Sequence, residues 1–476
     1  MRILLLFCLL ISSSFGYAQK LVFSQALDFH SRNDAFEIIG RYEQQLVTYY
    51  QHGNQRKLHF YNDQMEIVKE CSLDSLSLQS GDSLYFLIDK KKLSLFCFRQ
   101  NRRLLRLYTA VMNTDYLMSD MKRIDSIETD AYRQSKRYWF QYNDEHSRLL
   151  IGDERSEEDQ KILRYRIADA DGSMHTYREW TWPVGTFYPS TVTCFNPSGS
   201  IYLLGSDRPL NNTPDSFFIL RFSNPEAGAE KIGIDRKDFY LHDMHLITND
   251  DAHTLYVTSW FGTSRYSAPR GLFTAVLADD KAEWTVSRFS PLTLPMSSQR
   301  NDLQDFEIRQ LLLNQQGGVE ILAEKYAANS HLVKNLVPTV NPVFSTSFQE
   351  SSRTVTDYYF GELLVAHLRN DGSLAWSQTI LKEQNSTEDD GWLSSFGRLL
   401  YPSGTIQIFN DLNQRQNRLM GAFLSSGGQL SLREIPIPAG YENWNLLCRL
   451  AFQTKQTEII IPAISKNNLC YLSLRF

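Results

Sequence analysis

The sequence lacks several features that would assign it to a common functional class. After Ile11 it has no apolar run close to the roughly 20 residues that a membrane-spanning helix needs. Its 49 lysines and arginines face 54 aspartates and glutamates, and both signs are mixed along the chain. Such a chain presents no extended basic surface for phosphates, so nucleic acid is excluded as an expected partner.

Familiar catalytic and metal-binding motifs are also missing. There is no Gly-x-Ser-x-Gly, no His-Glu-x-x-His, no phosphate-binding glycine loop and no EF-hand. The turn at Asp169 and Asp171 has calcium-like spacing but no downstream glutamate. In a strand, Asp243 and His245 would share one face and His242 the other, which predicts an Asp–His hydrogen bond rather than a metal site. No metal and no cofactor are therefore expected.

Cysteines are few, and their pattern indicates neither a disulfide framework nor a zinc site. Five follow the first 18 residues, at irregular positions and without a Cys-x-x-Cys pair: Cys71, Cys97, Cys194, Cys448 and Cys470. An odd number cannot pair completely. We expect all five to be free thiols, buried as small hydrophobic side chains in strands.

The N-terminus has the pattern of a cleaved export signal. Arg2 precedes the apolar run Ile3–Ile11, and Gly16, Tyr17 and Ala18 form a small-x-small exit. We expect residues 1–18 to be removed, leaving one domain over residues 19–476 in the periplasm or outside the cell.

The rest of the chain is built from a repeated unit of short strands. The segments Phe195–Gly205, Leu313–Ala323 and Leu400–Asn410 align without gaps, each with glycine in the turn between two apolar runs. A second glycine turn follows later in each unit, so a unit holds four strands. Such repeats are typical of β-propeller blades. The predicted fold is all-β, a single β-propeller; a pair of β-sandwiches is the alternative.

Eight blades are predicted, with seven as the alternative count. The units are expected to begin near these residues: Phe36, Leu76, Tyr138, Ser190, Met244, Glu307, Ser394 and Leu446. The last unit ends with Leu469–Phe476, one strand short, and the apolar segment Leu21–Leu27 precedes the first unit. Pairing these two segments would complete the last blade and close the ring.

Two resemblances accompany this pattern. Ala366–Trp376 looks like a blade of the pyrroloquinoline-quinone-type propellers, and because it occurs once it implies the fold and not the cofactor. The chain also resembles a group of uncharacterised secreted proteins of Bacteroidetes. That resemblance implies a compartment and a lineage, and it is carried by these segments: Gly318–Tyr326, Tyr358–Val365, Asp371–Trp376, Lys382–Gln384, Asp389–Gly391, Ser394–Phe396 and Phe409–Asp411.

One face of the predicted disc collects the long connections, which join strand 2 to strand 3 or strand 4 to the next unit. Loops of this kind carry binding specificity. The expected long connections are residues 153–160, 205–216, 260–271, 324–361, 382–391 and 410–418. Carboxylates recur where strand 2 ends, at Asp153, Asp207, Glu324 and Asp411, and aromatic rings lie near them in sequence: Trp260, Tyr266, Tyr326, Tyr358, Tyr359 and Trp392.

Carboxylates beside exposed rings suit sugars, whose hydroxyl groups need acceptors and whose C–H faces stack on aromatic rings. The interpretation is a monomeric, non-catalytic recognition protein that binds a glycan or a protein through its long-loop face. Two alternatives stay open. The first is a carbohydrate-active enzyme, a glycoside hydrolase or lyase, with its acids on the same face. The second is that the four carboxylates only accept hydrogen bonds within their own loops.

Overall fold

The computed structural model describes most of the chain as antiparallel strands. The expected export segment lies outside the described residues. The structure describes residues 20–476 except the following: 32, 102–103, 129–136, 144–145, 158, 178, 197, 209–215, 225, 227, 293–302, 315–316, 342–344, 390 and 412–417. Within the described part, no helix is long and apolar enough to cross a bilayer.

The described strands form eight antiparallel sheets, numbered here 1 to 8 in chain order. Sheets 1 and 2 consist of Ala35–Tyr42, Gln45–His52, Gln55–Tyr61 and Ile67–Ser72, then Ser83–Asp89, Lys92–Asn101, Leu104–Val111 and Lys122–Glu128. Sheets 3 and 4 consist of Arg137–Tyr142, Arg148–Glu157, Gln160–Asp169, Met174–Thr176 and Trp180–Pro183, then Tyr188–Phe195, Ile201–Ser206, Phe217–Phe222 and Glu230–Ile234.

The second half of the chain forms sheets 5 to 8. Sheets 5 and 6 consist of Tyr240–Asn249, Thr254–Gly262, Gly271–Ala278 and Val286–Pro291, then Phe306–Leu313, Val319–Asn341, Ser345–Leu368, Leu374–Ile380 and Gln384–Thr387. Sheets 7 and 8 consist of Phe396–Tyr401, Gly404–Asp411, Arg418–Ser425 and Leu430–Ile435, then Asn445–Leu446, Phe452–Lys455, Glu458–Ser465 and Asn468–Arg475, joined by Lys20–Phe23 and Leu27–Asp28. Short 3₁₀ helices span Asp74–Leu76 and Cys448–Leu450.

The sheets follow one another around a ring, so the all-β propeller fold is confirmed. First strands contact each other between sheets 1 and 2, 3 and 4, 4 and 5, and 5 and 6. Sheet 2 contacts the second strand of sheet 3, an apolar cluster joins sheets 6 and 7, and sheet 8 contacts both sheet 7 and sheet 1. The hydrophobic core lies between neighbouring sheets: for example, side chains of sheets 4 and 5 form one apolar cluster and those of sheets 7 and 8 another. Alternating strand residues supply the side chains that fill these layers.

The ring closes through the N-terminal segment as the leftover strand predicts. Lys20–Phe23 pairs with Leu472–Arg475, and Leu27–Asp28 pairs with Asn468–Leu469. All five cysteines after residue 18 are free and buried, as expected. Four lie in strands, but Cys448 begins a 3₁₀ helix, which is a correction to the prediction that it lies in a strand. The start of the second unit is a correction: Leu76 lies in a 3₁₀ turn, and the strands of sheet 2 begin at Ser83.

Two of the expected long connections are strands instead. Residues 153–160 belong to a hairpin in which Glu157 pairs with Gln160. Residues 324–361 belong to a β-arm, because the second and third strands of sheet 6 continue pairing from Tyr326 and Phe360 out to Asn341 and Ser345. At about 3.3 Å per residue, this arm is roughly 50 Å long.

A buried carboxylate holds the closing sheet against sheet 1. Glu458, whose side chain is 1% exposed, accepts hydrogen bonds from Arg475 Nε at 2.6 Å and Ser473 Oγ at 3.0 Å. It also accepts from Thr454 Oγ1 at 2.6 Å and from Arg41, which belongs to the first strand of sheet 1. Burial alone would raise the pKa of Glu458, but these partners lower it from 4.5 to about 2.

We expect the substitution Glu458→Gln to lower the free energy of unfolding at pH 7 by about 2 to 3 kcal/mol, because each pKa unit corresponds to about 1.4 kcal/mol. Since the folded-state pKa is depressed, this stabilisation is present above pH 4.5 and is lost as the pH falls toward 2. Urea titrations of both chains between pH 7 and pH 3 measure it. The half-exposed ion-paired Glu179 provides a control, and Glu179→Gln should cost under about 0.5 kcal/mol. A constant difference between wild type and Glu458→Gln at every pH would contradict the assignment.

Candidate functional site

A polar network on the long-loop side connects the inner strands of sheets 5 and 6 with the start of sheet 7. On this side the first strand of each sheet begins and the second strand ends. The network consists of Asp243, His245, Glu307, Arg309, Glu324, Lys382, Gln384 and Ser395. Two of its members, Asp243 and Glu307, are carboxylates with partly exposed side chains.

Asp243 lies in a β-bulge of the first strand of sheet 5. Pairing with the second strand shifts register between His242 and His245, and Asp243 has a φ of 50°, a left-handed conformation that Asp adopts more readily than most residues. The bulge turns its carboxylate toward sheet 6, where Oδ2 accepts a hydrogen bond from the backbone N–H of Ile308 at 2.5 Å. Oδ1 is hydrogen-bonded to Nε2 of His245 at 2.9 Å. The expected Asp–His hydrogen bond is therefore confirmed.

Glu307 and Arg309 occupy the equivalent part of sheet 6. Arg309 is bulged out of the pairing between Ile308 and Gln310, and its Nη1 lies 2.9 Å from a carboxylate oxygen of Glu307. Burial raises the pKa of Glu307; the Asp243 and Glu324 carboxylates raise it further, and Arg309 opposes them. Asp243 binds the amide that directly follows Glu307, and its charge acts on the Glu307 carboxyl group.

The wall behind Arg309 is a buried ion pair. Glu324 and Lys382 are 0% and 1% exposed, with Lys382 Nζ 2.6 Å from Glu324 Oε1. Ser395 Oγ donates to Glu324 at 2.7 Å, and Lys382 Nζ also donates to Gln384 at 2.9 Å. Burial lowers the pKa of Lys382, and Glu324 opposes that shift. This pair fixes the position of the connection from sheet 6 to sheet 7, and neither charge is available to a ligand.

Three of the candidate ligand-binding residues predicted from the sequence are buried, which is a correction. Glu324 serves the ion pair just described. Asp153 is 3% exposed, because Arg164 Nε at 3.1 Å and Arg166 Nη1 at 2.6 Å neutralise it between strands. Trp260 is 1% exposed and packs between sheets 5 and 6, because its strand extends to Gly262 and no loop begins at residue 260. These three side chains are therefore not exposed on the long-loop face as the sequence predicts.

The other two carboxylates predicted from the sequence are partly exposed but serve local contacts. Asp207 accepts a hydrogen bond from the backbone N–H of Ser216 at 3.0 Å, within its own connection. Asp411 forms an ion pair with Arg418 at 3.0 Å. For these two the alternative that each carboxylate supports its own loop agrees with the geometry.

The predicted aromatic residues are spread over the long-loop side rather than gathered. Tyr266 is 88% exposed, in the connection between strands 2 and 3 of sheet 5. The Arg309 guanidinium lies 4.5 Å from the Tyr326 ring centre. Tyr358 and Tyr359 pair with Ala328 and Ala327 at the base of the β-arm and are partly buried. Trp392 contacts Phe36 of sheet 1 edge to face at 6.4 Å.

Glu307, Arg309 and Lys382 were missed as site residues. A sequence signal existed for the first two, since charged residues in an innermost strand must face the channel or a partner. No sequence signal identified Lys382, whose partner Glu324 lies on a different strand. Among the described residues, no group of three or more His, Cys, Asp or Glu side chains is arranged to hold a metal ion.

Comparisons with known proteins show likeness of fold at most. No family model and no curated protein matches the chain. Prolyl oligopeptidase B from Galerina marginata is 9% identical to this chain, with a TM-score of 0.42. The match covers 91% of this chain and 56% of the oligopeptidase chain. The chain therefore spans about half the length of that protein. An exo-β-1,3-galactanase from Clostridium thermocellum is 9% identical with a TM-score of 0.29, covering 82% of this chain and 94% of its own.

An α-L-arabinofuranosidase from Fusarium graminearum is 10% identical, with a TM-score of 0.32, and it covers 69% of this chain and 89% of its own. At these identities and TM-scores, the three proteins support no statement about the activity of this chain.

Proposed function

We propose that the protein recognises a glycan on its long-loop face, where the inner strands of sheets 5 and 6 meet. The observation that supports this most is the adjacent pair of partly exposed carboxylates, Asp243 and Glu307, held by backbone and side-chain hydrogen bonds. Pre-positioned acceptors of this kind suit sugar hydroxyl groups. The exposed ring of Tyr266, on the same side of sheet 5, can stack on a sugar face.

A second candidate function is cleavage of a glycosidic bond at the same place. It is favoured by the raised pKa of Glu307, which lies beside a second carboxylate on Asp243. Glycoside hydrolases use two neighbouring carboxyl groups, one protonated to donate to the leaving oxygen and one ionised. In that case Glu307 would be the proton donor and Asp243 the nucleophile or the base.

The working compartment is part of the proposal. The pattern of Arg2 and the apolar run Ile3–Ile11 supports export, and exported proteins of this kind meet polysaccharides in the periplasm or outside the cell. Comparing the N-terminal residue and the cell fraction of the protein in its own host tests this directly.

We expect Glu307→Gln and Asp243→Asn each to weaken glycan binding at least tenfold, because hydrogen bonds to charged groups contribute about 1.5–3 kcal/mol. Asparagine tolerates the left-handed backbone of residue 243, so the second variant should keep the bulge. A polysaccharide binding screen identifies the ligand, and titration of the variants with that ligand measures the effect. The exposed Asp280 lies in the same sheet on the opposite face, so Asp280→Asn is the matched control and should bind like wild type.

A reducing-end assay in the same wells separates the two candidate functions. Release of reducing ends by wild type, lost in Glu307→Gln, would favour the hydrolase over simple recognition. Wild-type affinity for the glycan in both Glu307→Gln and Asp243→Asn would contradict the proposed site. Absence of any glycan ligand in the screen would contradict the proposed function itself.

A further inference from the structure

The β-arm of sheet 6 begins at Tyr326, directly beside the proposed glycan site. Arg309 connects the two. Its Nη1 lies 2.9 Å from a carboxylate oxygen of Glu307, and its guanidinium lies 4.5 Å from the centre of the Tyr326 ring. The base of the arm is therefore continuous with the polar network that holds Glu307.

The pairing register divides the arm into two faces, because successive residues of a strand point to opposite sides. A hydrogen bond of 2.9 Å between Ser330 Oγ and Thr356 Oγ1 shows that these paired residues share a face. The face that starts beside Arg309, called here the Tyr326 face, carries four cross-strand pairs: Tyr326 with Phe360, Ala328 with Tyr358, Ser330 with Thr356, and Leu332 with Thr354. None of these side chains carries a charge.

The opposite face of the arm is charged. Its His331 Nδ1 lies 3.5 Å from Asp357 Oδ2, and its Arg353 Nη1 lies 3.5 Å from Glu388 Oε2. A charged polymer would find ionic partners on this opposite face. The Tyr326 face, which continues from the glycan site, offers none beyond Arg309 and so suits an uncharged ligand.

The composition of the Tyr326 face suits a sugar chain. Tyr326 and Tyr358 supply partly exposed rings at the base, where Ala328 between them is exposed and adds little bulk. Farther out, Ser330 is an exposed hydroxyl residue, and Leu332 is 69% exposed. Rings and apolar groups contact the C–H faces of sugars, while hydroxyl groups form hydrogen bonds with sugar hydroxyls.

The length of this face requires a ligand of several sugar units. From Tyr326 to Leu332 it extends about 20 Å, at about 3.3 Å per residue. A single sugar held at Asp243 and Glu307 would not reach its far end, whereas an extended chain would occupy both places.

We propose that the Tyr326 face binds the continuation of the glycan chain held at Asp243 and Glu307, and that this glycan is an extended, uncharged polysaccharide. The inference rests on the proposed function, to which it adds the class of ligand. Short or terminal sugars use only the site between sheets 5 and 6, and long chains also use the arm.

The test compares sugar dimers with hexamers by isothermal titration calorimetry on the protein. The probes are neutral cello-, xylo-, laminari- and malto-oligosaccharides, with the hexamers of galacturonate and of glucosamine as charged comparisons. We expect one neutral hexamer to bind at least tenfold more tightly than its own dimer, with an affinity that does not change with salt. Both charged hexamers should bind at least tenfold more weakly than that neutral hexamer.

Two variants of the Tyr326 face should reduce the preference for the hexamer. In Tyr358→Ala and in Leu332→Ser, the ratio of hexamer affinity to dimer affinity should fall at least threefold, because each variant removes a contact with the distal part of the chain. His331→Ser is the matched control, since His331 precedes Leu332, has a 52% exposed side chain and lies on the opposite face. Its ratio should equal that of wild type. A cooperative melting transition shows that each variant is folded.

The outcomes separate this inference from the proposed function. Equal affinity for dimers and hexamers, tightest binding of a charged hexamer, or an unchanged ratio in both Tyr326-face variants would overturn the inference. If sugar binding is nevertheless lost in Glu307→Gln, the site between sheets 5 and 6 stands without the arm. No binding of any of these probes by wild type would overturn the inference together with the proposed function.

Discussion

A chain that begins at His30 is expected to aggregate, whereas a chain that begins at Gln19 should be a soluble monomer. Removing residues 19–29 exposes the edge of Asn468–Arg475, a strand whose interior residues are almost wholly buried. It also removes the ring of Phe23, which stacks on Tyr441 at 3.7 Å, and the side chain of Phe29, which is 2% exposed. Long apolar edges are sites of intermolecular pairing. Size-exclusion chromatography and urea unfolding of both chains measure the effect.

Addition in trans distinguishes a missing strand from a general folding failure. A synthetic peptide of residues 19–31, added during refolding of the shortened chain, should restore the monomer. A peptide of the same composition in scrambled order should not. A shortened chain that stays monomeric, with the stability of the longer one, would contradict closure by the N-terminal strand.

The substitution Trp260→Ala is expected to lower the free energy of unfolding by about 3–5 kcal/mol, the usual cost of removing a large buried aromatic side chain. Trp260 is 1% exposed and packs with Leu272, Phe306 and Ile308, which join sheet 5 to sheet 6. Urea unfolding measures the loss. Trp260→Phe should cost less, because it keeps most of the apolar volume.

Tyr266 provides the exposed comparison in the same sheet. Tyr266→Ala should change the free energy of unfolding by under about 0.5 kcal/mol while weakening glycan binding, because its ring is 88% exposed. If Trp260→Ala instead kept the wild-type stability, the ring would lie outside the core, and the packing between sheets 5 and 6 described here would be wrong.

The fold was predictable because its signals are local. Glycine turns such as the one at Gly404 recur in register between short apolar runs, and each marks a hairpin whose strands alternate inward and outward. The closing strand was predictable for a different reason. The last unit lacked a fourth strand, and Leu21–Leu27 had no other partner.

The site was less predictable because burial depends on partners far away in sequence. Asp153 and Glu324 each follow an apolar strand pattern, where an exposed loop residue is expected. In the structure each is buried and neutralised by a cation on a neighbouring strand or connection. Lys382 lies 58 residues after its partner Glu324, too far along the chain for a local pattern to connect them. Propensity could not show that strand 2 of sheet 6 continues into a β-arm.

Irregular backbone conformation explains the remaining differences between the site predicted from the sequence and the site in the structure. The bulges at Asp243 and Arg309 turn side chains that simple alternation would place elsewhere. Their effect is to bring Asp243 of one sheet onto the backbone of the next, beside Glu307. Regular in-and-out alternation of side chains along either strand does not predict this contact.

Amide hydrogen–deuterium exchange with and without the glycan found in the screen tests the proposed working site most directly. Bound glycan should slow exchange in Tyr240–His245 and Phe306–Arg309, and the short-turn side of sheet 5, residues 250–253 and 279–285, should exchange as before. Protection confined to residues 250–253 and 279–285, or to any sheet distant from sheets 5 and 6, would contradict it.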